Sequence, residues 1–403
     1  MPDTMRFLIR ASGARRLIAV MDDTKLAEYY TEETGDGSLA GALVLGRVER
    51  VAPAMGAAFV DIGQPQNGFL PLAEMESYTQ NSGAKPLATG QELIFQIKKD
   101  AHEQKGAYLT RDVALPGQHI IYMPFNRHVG VSKRVSDEAE RARLLAAGQE
   151  LCGAEHGVVM REASLHAKPA DLREELAELK ARWAEIRQKA EFTRAPAVLY
   201  RESVLAALLR DYAQRYRVSI TCNDAVNRMP APPTGLMWEQ VNDAELDALW
   251  QASRVDVQLQ EALARRVSLR NGSTLVIDER EALTTIDVNS ASYLGDAQGD
   301  MALKLNIAVC DDIARQIRLR NLSGIILIDF IDMHTEEERA QVSERLMAEL
   351  SRERVKTVVH GFTRLGFLEM TRKRTAATLR EQLCVPCEKC HATGYRQERD
   401  KKK

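Results

Sequence analysis

Aromatic residues are scarce, at 5% of the 403 residues, so any base-stacking surface is small and its members can be named. Net charge is nearly absent as well. At −2 the field of the whole chain does not draw polyanions, and nucleic-acid binding must come from local basic patches. There is no run of about 18 apolar residues, which excludes a membrane-spanning helix. The opening stretch MPDTMRFLIRASGARR lacks a long apolar core, so no secretory signal is expected. Cysteines number six and are scattered until three gather near the C-terminus. Without a signal, that distribution favours a reducing, cytoplasmic setting and metal binding over disulfides. Internal repeats and long low-complexity linkers are also missing. What remains is ordinary for a globular protein, 45% hydrophobic and 28% charged, in a chain long enough for roughly two to four domains.

Residues 5–30 alternate apolar and polar with a glycine at a hairpin turn. From 41 to 112 short strands follow one another between glycines and prolines (GALVLGRVERVAPAMGAAFVDIG, NGFLPL, QELIFQIKKD, GAYLTRDV), a pattern that predicts a small β-barrel. QHIIYM at 118–123 reads as a further strand, and MPFNRHVGVSKRV as a loop. Helical periodicity starts near Asp137, returns at 170–191 and again at 201–216, and 243–265 reads as helix. VSITCND, 218–224, reads as a strand between the last two. From 273 the pattern is α/β: a hairpin of STLVIDER and ALTTIDVN, a helix ending before Ser323 and Gly324, strand IILIDF, helix TEEERAQVSERLMAEL and strand VKTVVHGF.

Four groups of residues carry chemistry. In ALTTIDVNSAS, Asp287 and Asn289 are two apart and face one side of a strand; Asp329 ends a second strand in GIILIDFIDM, with Asp332 close behind. Buried-strand carboxylates are costly without a partner. If the strands are neighbours, two carboxylates and an amide oxygen converge, a donor set suited to Mg²⁺ or Mn²⁺. The plainer reading is strand-end caps and a turn. Phe59 and Phe69, on adjacent strands, with Lys105 further on, form either a platform for single-stranded bases or part of the barrel core. LCVPCEKCHATGY overlaps two C-x-x-C pairs, Cys384 with Cys387 and Cys387 with Cys390. Thiolates at this spacing grip Zn²⁺, either within one chain with His391 or shared across a dimer. A redox dithiol is the weaker reading, since no thioredoxin-like unit precedes it. The run 352–374 sets seven Lys/Arg, including Arg372, Lys373 and Arg374, against two Glu. It is either a phosphate-contacting patch or a solvated face.

Taken together, GRVERVAPAMGAAFVDIG, GFLP, KGAYLTRDVALPG, HVGVSKRV, TTIDVNS, RQIRLRNLSGIILIDFIDM, VKTVVHGFTRLGFLEMTRKR and LCVPCEKCHATG resemble the ribonuclease E/G family, nearer its ribonuclease G-like members, from about residue 5 to about 396. The resemblance implies an α/β multidomain fold. Its parts are an RNase H-like subdomain split between 1–38 and 213–262, an S1-type OB barrel at 39–112, a 5′-sensor region at 113–212, a DNase I-like catalytic subdomain at 263–380, a zinc-link at 381–396 and a charged tail at 397–403. It implies a cytoplasmic, Mg²⁺-dependent endoribonuclease (Mn²⁺ substituting) that hydrolyses single-stranded RNA to 5′-phosphate and 3′-hydroxyl ends in RNA processing or decay, rRNA processing included. Asp287 and Asp329 are then the metal-binding catalytic pair and Asn289 the assisting amide. Phe59, Phe69, Lys105, Arg372, Lys373 and Arg374 are RNA contacts. Cys387 and Cys390, with Cys384 as an additional thiol, are the zinc ligands of a homodimer. The sensor pair maps to Arg161 and Glu162, with a departure: the family has threonine where Glu162 stands, and a carboxylate there repels a phosphate dianion. The match ends without the family's C-terminal small domain. The rival expectation is a paralogue that binds RNA and cuts nothing; a metal-dependent DNase is a third.

Overall fold

The structure is a computed structural model and describes residues 4–13, 15–33, 38–75, 86–101, 105–153, 156–223, 236–290, 301–385 and 387. The chain divides into two compact units. One holds the described residues from 38 to 218; the other combines 4–33 with 219–223 and the residues from 237 onward.

In the first unit, β4 (Leu43–Ala52) pairs antiparallel with both β5 (Ala57–Asp61) and β7 (Glu92–Lys99), and β6 (Gly68–Pro71) and β8 (Tyr108–Thr110) complete the ring. The five strands close into the barrel expected from the alternating stretches. Val44, Val48, Val60, Leu70, Phe95, Ile97 and Leu109 fill its interior. β13 (Ala197–Tyr200) adds to β4. Beside the barrel strands in sequence lies a four-stranded sheet of β9 (Leu115–Pro116), β10 (Ile120–Met123), β12 (Gly157–Met160) and β11 (Val129–Val131). The segment read as a loop therefore contains a short strand. Helix α1 (Glu138–Cys152) starts at Asp137, whose side chain accepts from the Glu140 N–H. Helix α2 (Pro169–Glu191) buries Leu172, Leu176, Leu179, Trp183 and Ile186, spaced three and four apart as one helical face requires. Helix α3 (Val204–Tyr212) is shorter at both ends than the 201–216 expectation.

The second unit contains two sheets. The first is ordered β15 (Met237–Gln240), β14 (Arg217–Cys222), β1 (Thr4–Ser12), β2 (Arg15–Asp22) and β3 (Lys25–Glu33), so the N-terminal strands share a sheet with strands two hundred residues on. The stretch 243–265 is two helices, α4 (Asp243–Ala252) and α5 (Val255–Leu263), because Arg254 takes a left-handed conformation between them. The second sheet runs β16 (Arg266–Ser268), β17 (Thr274–Glu279), β18 (Leu283–Asn289), β19 (Gly324–Asp329), β21 (Leu368–Arg372) and β20 (Thr357–Phe362). Helices α6 (Met301–Leu319) and α7 (Glu336–Ser351) cover one face, packing Leu305, Val309, Ile313, Ile317, Val342 and Leu346 onto Ile286, Val288, Ile326, Ile328 and Met370. Most of the basic run 352–374 is a β-hairpin, β20 with β21.

Candidate active site and RNA surface

Alternation decides the direction of each side chain on β18 and β19. Thr284, Ile286 and Val288 are buried under the helices, which turns Thr285, Asp287 and Asn289 to the opposite face. On β19, Ile326 and Ile328 are buried and Asp329 is exposed. The two strands are parallel, and α6 lies between them in sequence, as a parallel pair requires. Their register sets Asp287 directly beside Asp329. Gly324 opens β19 at φ +82, a left-handed turn that few other residues adopt. Two carboxylates that are 42 residues apart in the chain thereby become neighbours on the uncovered face.

Their electrostatics follow. Partial burial, then the negative charges of Asp287 and Asp332, push the Asp329 carboxyl above the usual aspartate range. The Asn289 amide donates to Asp287 Oδ2 at 2.7 Å, a neutral donor that orients the carboxylate and leaves its charge uncancelled. The two carboxylates offer hard oxygens, and their charges repel. Among the described residues no group of three or more His, Cys, Asp or Glu is arranged to hold a metal. A two-carboxylate anchor suits Mg²⁺, which keeps waters and takes substrate phosphate oxygens for its other positions.

The basic hairpin separates by strand parity. Arg372, expected at the RNA surface, is buried in phase with Leu368 and Met370. Its guanidinium meets Glu353 Oε2 and Oε1 at 3.2 and 3.3 Å, and Asn321 Oδ1 and the Leu322 carbonyl at 2.8 Å each. It clamps the turn that leads into β19, and its burial keeps it from an RNA surface. Arg374 is exposed and pairs with both oxygens of Glu381 at 3.0 Å. Arg354 pairs with Glu28. Lys373 is exposed, as are Lys356 and Arg364.

On the barrel, Phe59 and Phe69 are half-buried and stand outside the core. They are register partners with ring centroids 6.1 Å apart. Lys105 is exposed, and Gly106 follows it because a Cβ there would meet the Asn67 carbonyl oxygen at 1.8 Å. Sequence reasoning missed three neighbours. Tyr108 is the register partner of Phe69, at 6.1 Å between centroids. Arg50 lies over Phe59 at 4.7 Å, and Lys99 over Tyr108 at 5.9 Å. Their signal was phase: each stands opposite an aromatic once the strands are paired, and pairing is not written locally.

Arg161 donates to Asp211 Oδ1 at 2.9 Å and to the Gly117 carbonyl, while Glu162 Oε2 meets Arg215 at 2.8 Å and Arg134 at 4.0 Å. Both residues of the expected sensor pair are engaged by the protein itself. Cys384 and Cys387 are exposed thiols; Cys390 and His391 lie outside the described residues.

Comparison with known proteins gives consistent matches. Residues 114–375 match the model of the ribonuclease E/G family, and residues 40–111 match the S1 RNA binding domain. Ribonuclease G of Escherichia coli K12 is 35% identical over 411 aligned positions, covering 97% of this chain and 84% of the relative. Ribonuclease G of Haemophilus influenzae is 35% identical over 416 positions, with the same coverage. Ribonuclease E of Nostoc sp. PCC 7120 is 32% identical over 399, covering 94% of this chain and 57% of the relative.

Proposed function

The chain belongs to the ribonuclease E/G family, and from that premise we propose that it is an endoribonuclease of RNA processing that hydrolyses single-stranded RNA to 5′-phosphate and 3′-hydroxyl ends. The observation that carries the reading is the register pairing of Asp287 with Asp329 on an open sheet face, with Asn289 holding Asp287.

Asp287 and Asp329 would hold Mg²⁺, or Mn²⁺ in its place. When bound, the ion supplies Lewis-acid stabilisation of the charge that builds on the scissile phosphate. The chain's own residues prepare for it. Asn289 fixes the orientation of Asp287 through a donor that bears no charge. Arg372, through Asn321 and Leu322, secures the entry to β19 and so the position of Asp329. Exposed Lys373 supplies positive charge for the RNA backbone, and the barrel rings hold unstacked bases.

Cleavage of a 5′-labelled single-stranded RNA by wild type, Asp287→Asn and Asp329→Asn tests this. Cutting by wild type alone, with phosphate on the new 5′ ends and a DNA control left intact, supports the reading. Equal cutting by all three rejects the site, and no cutting by any favours a protein that binds RNA without cleaving it.

The subdomain names implied by the resemblance are part of the same proposal: RNase H-like for the sheet that unites the N-terminal strands with 217–240, DNase I-like for the sheet that carries Asp287. At the position of the family's sensor threonine, Glu162 already neutralises Arg215, so discrimination between 5′-monophosphate and 5′-hydroxyl ends is proposed to be weak. Zinc held by Cys387 and Cys390, with Cys384 as an additional thiol, in a homodimer is proposed from the soft donor set. A chelator that converts dimers to monomers supports it, and an unchanged mass rejects it. A cytoplasmic setting suits Cys152, Cys222 and Cys310, buried thiols outside any disulfide. Among the described residues no helix is long and apolar enough to cross a membrane.

A further inference from the structure

We infer that Tyr108 is a third base platform of the barrel, and that the row Arg50–Phe59–Phe69–Tyr108–Lys99 takes three successive unstacked nucleotides of single-stranded RNA. This rests on reading the barrel as an RNA surface.

The row is built by register. Arg50 on β4 is the partner of Phe59 on β5, Phe59 of Phe69 on β6, Phe69 of Tyr108 on β8, and Tyr108 of Lys99 on β7. Each of the five barrel strands contributes one side chain to a single transverse line, with three rings inside and a cation at each end. All five are exposed or half-buried. Both ring-to-ring spacings are 6.1 Å, well beyond the roughly 3.4 Å separation of nucleotides along one strand of a duplex. Bases on neighbouring rings are therefore splayed apart, which selects a single strand over a helix. The rings are also turned against one another, by 72° and 49°, so each offers its own face and the three do not form one flat sheet. The end cations sit beside rings, where a phosphate linking the bound bases can reach them.

The Tyr108 hydroxyl reaches the edge of a hydrogen-bond cluster centred on Glu74. Glu74 accepts from Lys98 at 2.7 and 2.9 Å, from Thr110 at 2.7 Å, and from the Tyr108 hydroxyl at 3.5 Å. Hydrogen bonds and the Lys98 charge outweigh burial and keep the Glu74 carboxyl below its ordinary range, so it stays an acceptor.

Binding of fluorescein-labelled oligouridylates of two to eight nucleotides to the full chain, in chelator so that nothing is cut, tests the inference. Tyr108→Ala is expected to weaken oligonucleotides of three or more by about 5- to 150-fold and the dinucleotide little, while Tyr108→Trp retains affinity. Lys99→Ala is expected to lower the slope of log affinity against log salt by about 0.7. Loss with both Phe69→Ala and Tyr108→Ala supports the third platform. Loss with Phe69→Ala alone overturns it and leaves the barrel reading standing. Loss with neither overturns the barrel reading as well. Unchanged circular dichroism and melting of Tyr108→Ala separate lost stacking from a damaged barrel, and a melted variant transfers the decision to Lys99→Ala, whose unchanged slope overturns the row.

Discussion

In the barrel, register partners set a cation, three rings and a second cation side by side; on the six-stranded sheet, register partners set carboxylate beside carboxylate. Both are transverse rows on strands, made by the same alternation of side chains. The barrel row is self-compatible, because ring edges meet ring faces and cations lie over π-clouds. The acidic row is not: partial burial, then the neighbouring negative charges, raise the Asp329 pKa. A surface that only binds can be complete in the free protein. The acidic row, proposed to take a cation and a phosphate, is left electrostatically unfinished.

Breaking the acidic row should have the largest effect. Asp287→Asn or Asp329→Asn is expected to lower the single-turnover cleavage rate at least roughly 10³-fold, while RNA affinity in chelator stays near wild type, because the barrel row is untouched. Next comes the contrast within the basic hairpin. Arg372→Ala removes the guanidinium that faces the buried Glu353 carboxylate and should cost about 3–5 kcal/mol in urea-induced unfolding. Lys373→Ala, one residue on and exposed, should leave stability within about 0.5 kcal/mol and show only in the salt dependence of binding. Asn289→Ala should reduce cleavage about 10- to 100-fold, as loss of a hydrogen bond that orients a metal ligand does, with the Mg²⁺ requirement moved to higher concentration.

The smallest effect concerns pH. The Asp329 carboxyl is raised in the folded chain, so its contribution is fully present below the unfolded aspartate value of about 3.9 and is lost as pH rises through the higher folded value. Metal-free wild type should therefore lose melting temperature relative to Asp329→Asn across that rise. Taking the difference between the two proteins removes the other carboxylates, such as Asp278 and Glu338, whose lowered pKa values act in the opposite sense. Mg²⁺ at neutral pH should close the gap by stabilising wild type alone, and a gap indifferent to Mg²⁺ would count against the cation site.

Arg372 marks where the sequence could have been read better. LEMTR alternates, with Leu368, Met370 and Arg372 in one phase, yet charge density suggested a phosphate-contacting patch that included Arg372. Arg254 was illegible for another reason. Nothing in its neighbours announces a left-handed residue, and the apolar spacing runs through it. Cys384, Cys387 and Cys390 were legible as thiolate spacing, though not as belonging to one chain or two.

The sequence by itself determined which side of its strand each key residue occupies: Asp287 opposite Ile286, Asp329 opposite Ile328, Phe59 opposite Val60. That information is local, carried by a period of two and the burial of alternate apolar side chains. Only the tertiary structure decided who stands beside whom. The pairing of Asp287 with Asp329 needs α6 packed across the sheet, and the meeting of Phe69 with Tyr108 needs a closed barrel. Register between distant strands is set by loop closure and shared core packing, which no short window of residues contains.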